Sequence, residues 1–275
     1  MSRSILQLRG INKKYIYSGD KKVVLKDVTC SVEEGERVIF VGPSGCGKST
    51  LLRIIAGLDT FYSGDVFLDN KKILGPGPER CVVFQQSTLF PWLTVWENIV
   101  FSRTLKRNIF SDGSDVGRSV YMSNKLVSLV GLYKYKGFYP KDLSGGMKQR
   151  VEIARALVAN PRVLLMDEPF SALDAQTREV MHDLVLRLLN FEETTLIFVT
   201  HDIEEAVYMG DKVIVLRSNP GCIDNVYDIP FGRNRTQKLK SYKDFISIKE
   251  NILSDIRRLS SVTSGDFGED YYKDL

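Results

Sequence analysis

The chain of 275 residues carries 38 Lys+Arg against 34 Asp+Glu, a formal charge of +4, with 43% hydrophobic and 10% aromatic residues. This composition excludes disorder as a description of the whole chain, and the length suits one large domain with a small appendage. No apolar run exceeds four residues, against about 20 for a membrane span, so the chain is not expected to cross a bilayer by itself.

The N-terminal MSRSILQLRGINKKY lacks the apolar stretch of a signal peptide, which points to the cytosol. Val28, Cys30 and Val32 alternate with polar residues, Glu33–Glu36 makes a turn, and Val38–Val41 reads as a buried strand. From Lys48 to Leu58 apolar residues recur at helical spacing. Val66–Leu68, a turn at Asp69-Asn70 and Cys81–Phe84 return to strand, which predicts an antiparallel β layer beside a strand–loop–helix unit. Cys30, Cys46, Cys81 and Cys222 lie too far apart for a zinc knuckle or dithiol pair and are expected as reduced thiols.

Between that strand and helix lies Gly42-Pro43-Ser44-Gly45-Cys46-Gly47-Lys48-Ser49-Thr50, a phosphate-binding loop pattern in its proper setting. Its glycines let successive N–H groups turn inward toward phosphate oxygens at a helix N-terminus. Lys48 is expected to reach the β- and γ-phosphates of a nucleotide, and the Ser49 hydroxyl to bind Mg²⁺. Cys46 sits where the helix N-terminus is expected to lower its thiol pKa.

From Ser87 to Pro161 helical signals take over, interrupted by a polar stretch at 108–119 read as a loop. Trp92 and Trp96 suit either a core pair on a helix or anchors of a groove that receives a helix. Leu143-Ser144-Gly145-Gly146-Met147-Lys148-Gln149-Arg150 opens a further helix whose N-terminus presents bare N–H groups to an anion.

Strands follow at Val163–Met166, Leu196–Val199 and Val213–Leu216, the first two joined by an amphipathic helix with Val180, Met181, Leu184, Val185 and Leu188 on one face. Such alternation predicts a parallel sheet covered on both sides. The first strand ends in Asp167 and Glu168, of which Asp167 would hold Mg²⁺ and Glu168 would act as general base toward an attacking water. His201 leaves the second strand at the same sheet edge, whereas His182 lies in a helix as a surface or packing residue. Beyond Asn219 nine Lys+Arg balance nine Asp+Glu, so no basic arm for nucleic acid is present; Phe245, Ile248, Ile252, Ile256 and Leu259 mark one helix, and 260–275 reads as a frayed tail.

With these elements in this order the sequence resembles the ATP-binding-cassette (ABC) ATPases, the nucleotide-hydrolysing subunits of membrane transporters. The resemblance covers roughly residues 5–218 and implies an α/β fold: a P-loop NTPase (RecA-like) core, an N-terminal antiparallel β subdomain and an inserted helical subdomain at about 87–161. It would make 1–218 the ATPase domain and 219–275 an extension with one amphipathic helix and a flexible tail. It implies that Leu143–Met147 is the family signature, Gln85 the Mg²⁺- and water-sensing glutamine, Ser171–Asp174 the interface loop and His201 the γ-phosphate switch. Tyr15 resembles the aromatic that stacks on adenine, with Tyr17 as the alternative.

The family's arrangement implies two cassettes facing head to tail, with Ser144, Gly145 and Gly146 of one completing the ATP site of the other. Gly75–Arg80 and Val83–Asn98 (GPGPER, then PWLTVWEN) further resemble importers of nitrate, sulfonates and taurine. That likeness implies transmembrane permease subunits, a solute-binding protein outside the cell and a peripheral position on the cytoplasmic face of the membrane. Two other functions remain open at this point. A soluble ABC ATPase acting on DNA or ribosomes would carry a long coiled coil or two cassettes, and a small-molecule kinase would not need the signature.

Overall fold

The computed structural model describes residues 4–17, 20–107, 116–192 and 194–264. Its centre is a six-stranded sheet of β3 (Arg37–Val41), β6 (Arg80–Val83), β7 (Val163–Asp167), β8 (Thr195–Val199), β9 (Lys212–Arg217) and β10 (Cys222–Asp228), in the spatial order β10-β9-β3-β8-β7-β6. All neighbours pair in parallel except β10, which closes one edge antiparallel to β9.

These strands read as unbroken apolar runs because both faces are covered. Ile39, Val41, Leu164, Met166, Leu196, Phe198, Val213 and Val215 face one core. Their alternates Val38, Phe40, Val163, Leu165, Ile197, Val199, Ile214 and Leu216 face the other. The first core is closed by α4 (Gly145–Val158), α5 (Ala175–Glu192), α6 (Ile203–Met209) and α7 (Lys243–Ser264). The second takes α1 (Lys48–Ala56) and a four-stranded antiparallel sheet, order β2-β1-β4-β5, made of β1 (Ser4–Tyr17), β2 (Asp20–Glu33), β4 (Ser63–Leu68) and β5 (Lys71–Lys72). α2 (Val95–Arg107) and α3 (Val116–Leu129) pack on α4 as the inserted helical part.

Several expectations are corrected. The strand at Cys81–Phe84 belongs to the central sheet rather than the antiparallel layer: Arg80–Val83 runs parallel to Val163–Met166. The first helix stops at Ala56 because Gly57 takes a left-handed conformation (φ 76°), leaving Leu58 outside it and exposed. Val180 is exposed, so the buried face of α5 is carried by Met181, Val185, Leu188 and Leu189. Of the loop expected at 108–119, residues 108–115 lie outside the described ones and 116–119 begin α3. Of the tail expected at 260–275, residues 260–264 end α7 and 265–275 lie outside the described ones.

The boundary drawn at residue 218 falls in the turn into β10, and Phe245, Ile252 and Leu259 of α7 are buried in the first core. Arg235 fastens this segment to α6: its guanidinium, 1% exposed, donates to the carbonyls of Tyr208 (2.8 Å), Gly210 (2.7 Å) and Phe231 (2.9 Å) and pairs with Asp211. Among the described residues no helix is long and apolar enough to cross a membrane.

Candidate functional site

Strands β3, β7 and β8 end side by side, so the loops leaving them meet at one edge of the sheet, where ligands bind in open α/β folds. The loop after β3 turns directly into α1, whose cap residue Gly47 (φ 95°) has no side chain to occupy the helix N-terminus. A Cβ on Gly47 would lie 2.6 Å from Leu25 Cδ2, and one on Gly42 would press on the Leu216 carbonyl. These two positions therefore require glycine for packing as well as for backbone shape. Lys48 is buried and folds over the loop, donating from Nζ to the carbonyls of Gly42 (2.8 Å) and Pro43 (3.0 Å).

The next residue reaches across to β7: Ser49 Oγ donates to Asp167 Oδ1 at 2.9 Å. Burial pushes the Asp167 carboxyl above its ordinary range, the Ser49 hydroxyl draws it back, and the charge of Glu168 adds to the rise. Such a poorly solvated anion favours a bound cation. A hydroxyl and a carboxylate are also the oxygen donors that Mg²⁺ accepts, and no cluster of three His, Cys, Asp or Glu that would cage a metal unaided occurs among the described residues.

Glu168 stands at φ 45°, a left-handed conformation that costs a non-glycine residue energy. It is held there by three contacts: its N–H donates to Val199 O (2.9 Å), Ser171 Oγ donates to its carbonyl (3.0 Å), and its Oε2 lies 3.0 Å from His201 Nδ1. With the proton on Nδ1, His201 donates to the carboxylate and keeps Nε2 as an acceptor. Gln85, two residues past β6, donates from Nε2 to Ser171 Oγ (3.2 Å) and so joins the 171–174 segment to this edge.

Ser144 caps α4, its hydroxyl accepting from Met147 N–H at 3.3 Å. Gly146 has a reason within the chain that the sequence did not reveal: a Cβ there would lie 2.8 Å from Thr177 Cγ2 of α5. The hydroxyl of Tyr15 donates to Asp59 Oδ2 (3.2 Å), and Lys13 Nζ lies 4.5 Å from the ring centroid. Tyr15 lines a cavity of about 480 Å³ with Lys13, Arg53, Asp59, Phe61 and Phe84, which none of residues 42–50 lines. The side chain of Tyr17 lies outside the described residues.

Three further expectations change. Cys46 is fully buried, and burial pushes its thiol above the ordinary value against the pull of Lys48, so it is not an activated thiolate. Of the two readings of His182 the packing one holds and the surface one does not: it is buried with its ring 5.3 Å from that of Phe170, and its Nε2, 2.6 Å from Glu205 Oε1, also ties α5 to α6. Trp92 and Trp96 do not share a helix face; Trp92 precedes α2 and is 70% exposed, while Trp96 packs on the first core.

Comparison with known proteins places these features in context. The family model described as ABC transporter matches residues 25–171. The chain is 42% identical over 250 residues to an uncharacterised ABC transporter ATP-binding protein of Methanocaldococcus jannaschii, covering 91% of each. It is 42% identical to the nitrate import ATP-binding protein NrtD of Synechocystis sp. (92% of this chain, 95% of that one) and to the aliphatic sulfonates import ATP-binding protein SsuB of Bacillus subtilis (90% and 92%). Among solved structures, the dimeric post-hydrolysis state of the ATP-binding cassette MJ0796 bound to ADP and Pi superposes with a TM-score of 0.71 at 32% identity, covering 83% of this chain and all of that one.

Proposed function

Because the chain belongs to the ABC transporter family and is an ATPase of it, we propose that it is the ATP-hydrolysing subunit of an importer for a small anion such as nitrate, a sulfonate or taurine. The observation that carries the reading is the meeting of the Ser49–Asp167 and Glu168–His201 contacts at the open end of the phosphate-loop strand. Residues 42–50 bind the phosphates of ATP, Lys48 exchanging its two loop carbonyls for phosphate oxygens. Ser49, Asp167 and Gln85 hold Mg²⁺, which when bound neutralises phosphate charge. Glu168 takes the proton of the attacking water, and His201 orients Glu168 and faces the γ-phosphate. Tyr15 stacks on adenine once its ring is released toward the loop.

Two copies pair head to tail, so that Ser144, Gly145 and Gly146 of each complete the other's site, and a closed pair forms when ATP is bound. The relatives' names for nitrate and sulfonate import support permease subunits as partners and a peripheral position on the cytoplasmic membrane face, with a solute-binding protein acting through the permease. The exposed Trp92 supports the reading of its surroundings as the seat of a permease helix.

Glu168→Gln tests the arrangement. The amide keeps the shape, removes the base and deletes a charge facing the γ-phosphate, so this variant becomes dimeric by light scattering with ATP and Mg²⁺. Adding Ser144→Arg returns it to monomer with nucleotide still bound. A saturated Glu168→Gln protein that stays monomeric, alone and with its permease, would falsify the head-to-tail reading.

A further inference from the structure

Glu152 is a buried carboxylate that the mechanism above does not use. It is 1% exposed on α4, between the buried Val151 and Ile153, where an apolar side chain would carry no desolvation cost. Its Oε1 accepts from Ser87 Oγ (2.9 Å) and from the Thr88 N–H, while Oε2 is buried with no hydrogen-bond partner. One turn along, Arg155 donates to Thr88 O (3.0 Å) and Thr88 Oγ1 (2.6 Å). The helix thus holds both the N–H and the carbonyl of one residue, an unusual grip on a segment outside any strand or helix.

Thr88 lies three residues past Gln85, and Glu152 lies eight past Ser144. At 1.5 Å per residue these two points on α4 are about 12 Å apart along a rigid rod. We propose that Glu152, with Arg155, is a positioning residue that clamps the segment after Gln85 to the signature helix, so that Gln85 and Ser144 take their places together. This rests on the roles given to Gln85 and Ser144 above. Without Glu152 the Thr88 N–H loses its acceptor, and the segment is held to the helix by Arg155 alone, through a longer and more loosely anchored side chain. Fewer molecules then hold both residues ready for the chemical step, while the phosphate loop, built on β3 and α1, is untouched.

The test compares Glu152→Ala and Glu152→Gln for ATP turnover, ADP affinity by calorimetry and amide exchange across residues 86–90. Glu152→Ala should lower kcat by roughly 10- to 100-fold, the range typical of residues one contact removed from a metal or reacting group, with ADP affinity within about twofold and faster exchange at 86–90. Glu152→Gln should recover most of the turnover, because its amide oxygen still accepts from Thr88. Unchanged turnover in Glu152→Ala, a parallel loss of ADP affinity, or a Gln variant as poor as the Ala variant would each overturn the clamp. Gln85→Ala with normal turnover would instead overturn the role of Gln85 on which the clamp rests, whatever Glu152 does.

Discussion

Gly221→Ala should damage the phosphate loop from a position five residues beyond the end of Leu216. Gly221 is wedged between β2 and the loop: its N–H donates to Val24 O and its carbonyl accepts from Lys26 N–H, both at 2.9 Å. A Cβ would lie 2.8 Å from Val24 O and 3.1 Å from Cys46 C, and closer still to Cys46 O, where ordinary contact needs about 3.5 Å. Both obstacles are backbone, so either the turn or the loop must retreat by more than about an ångström to clear the Cys46 carbonyl oxygen. Losing two backbone hydrogen bonds costs about 2 kcal/mol and forcing the packing about 1 more, or about 3 kcal/mol together. That corresponds to a fall of roughly 6–12 °C in Tm. Displacing Cys46 shifts the N–H groups around it, so ATP turnover should drop by about 10- to 100-fold. Calorimetric melting and steady-state hydrolysis measure both, with Gly137→Ala, whose Cβ meets nothing within 4 Å, as a control expected to stay within about 0.5 kcal/mol of wild type. A Gly221→Ala protein with normal Tm and turnover would refute the wedge.

Lys48→Ala should abolish hydrolysis and weaken nucleotide binding, because the phosphates lose their main cation; near-normal phosphate release would end the assignment of the loop. Alkylation of Cys46, followed against a Cys46→Ala control, should be slow at neutral pH and keep accelerating past pH 9, since a thiol raised above its ordinary value near 9 yields thiolate only there. A rate that levels off below pH 8 would contradict the burial argument. Arg235→Ala should lower unfolding stability by about 3 kcal/mol, leaving the carbonyls of Tyr208, Gly210 and Phe231 without its guanidinium, while Asp211 keeps Arg37 as its partner. A loss under about 1 kcal/mol in chemical denaturation would show that the extension is held by α7 alone.

The phosphate loop was legible in the sequence because its chemistry is local: the glycines, Lys48 and Ser49 must stand at fixed offsets between a strand and a helix, and nothing distant alters that. The strands Val163–Met166, Leu196–Val199 and Val213–Leu216 were legible for a related reason, since burial on both faces turns a short segment into an apolar run. Asp167, Glu168 and His201 were placed at one edge by inheriting the direction of those strands. What a residue touches across the fold is a different kind of fact. Arg80–Val83 looks the same in an antiparallel layer as in a parallel sheet, and only its partner Val163–Met166, some eighty residues away, decides which. Half-exposed Cys222–Asp228 carries no apolar run, so its edge pairing with β9 left no periodic signal. Cys46 at a helix N-terminus promises an acidic thiol until burial, a property of everything packed around it, reverses the shift. The same holds for Glu152, His182 and Gly221: each is an ordinary residue type in its own segment, and its role comes from Thr88, Glu205 or Cys46, brought near by folding. Local backbone and charge requirements are written in neighbouring residues, whereas desolvation and close approach exist only once distant segments have excluded water between them.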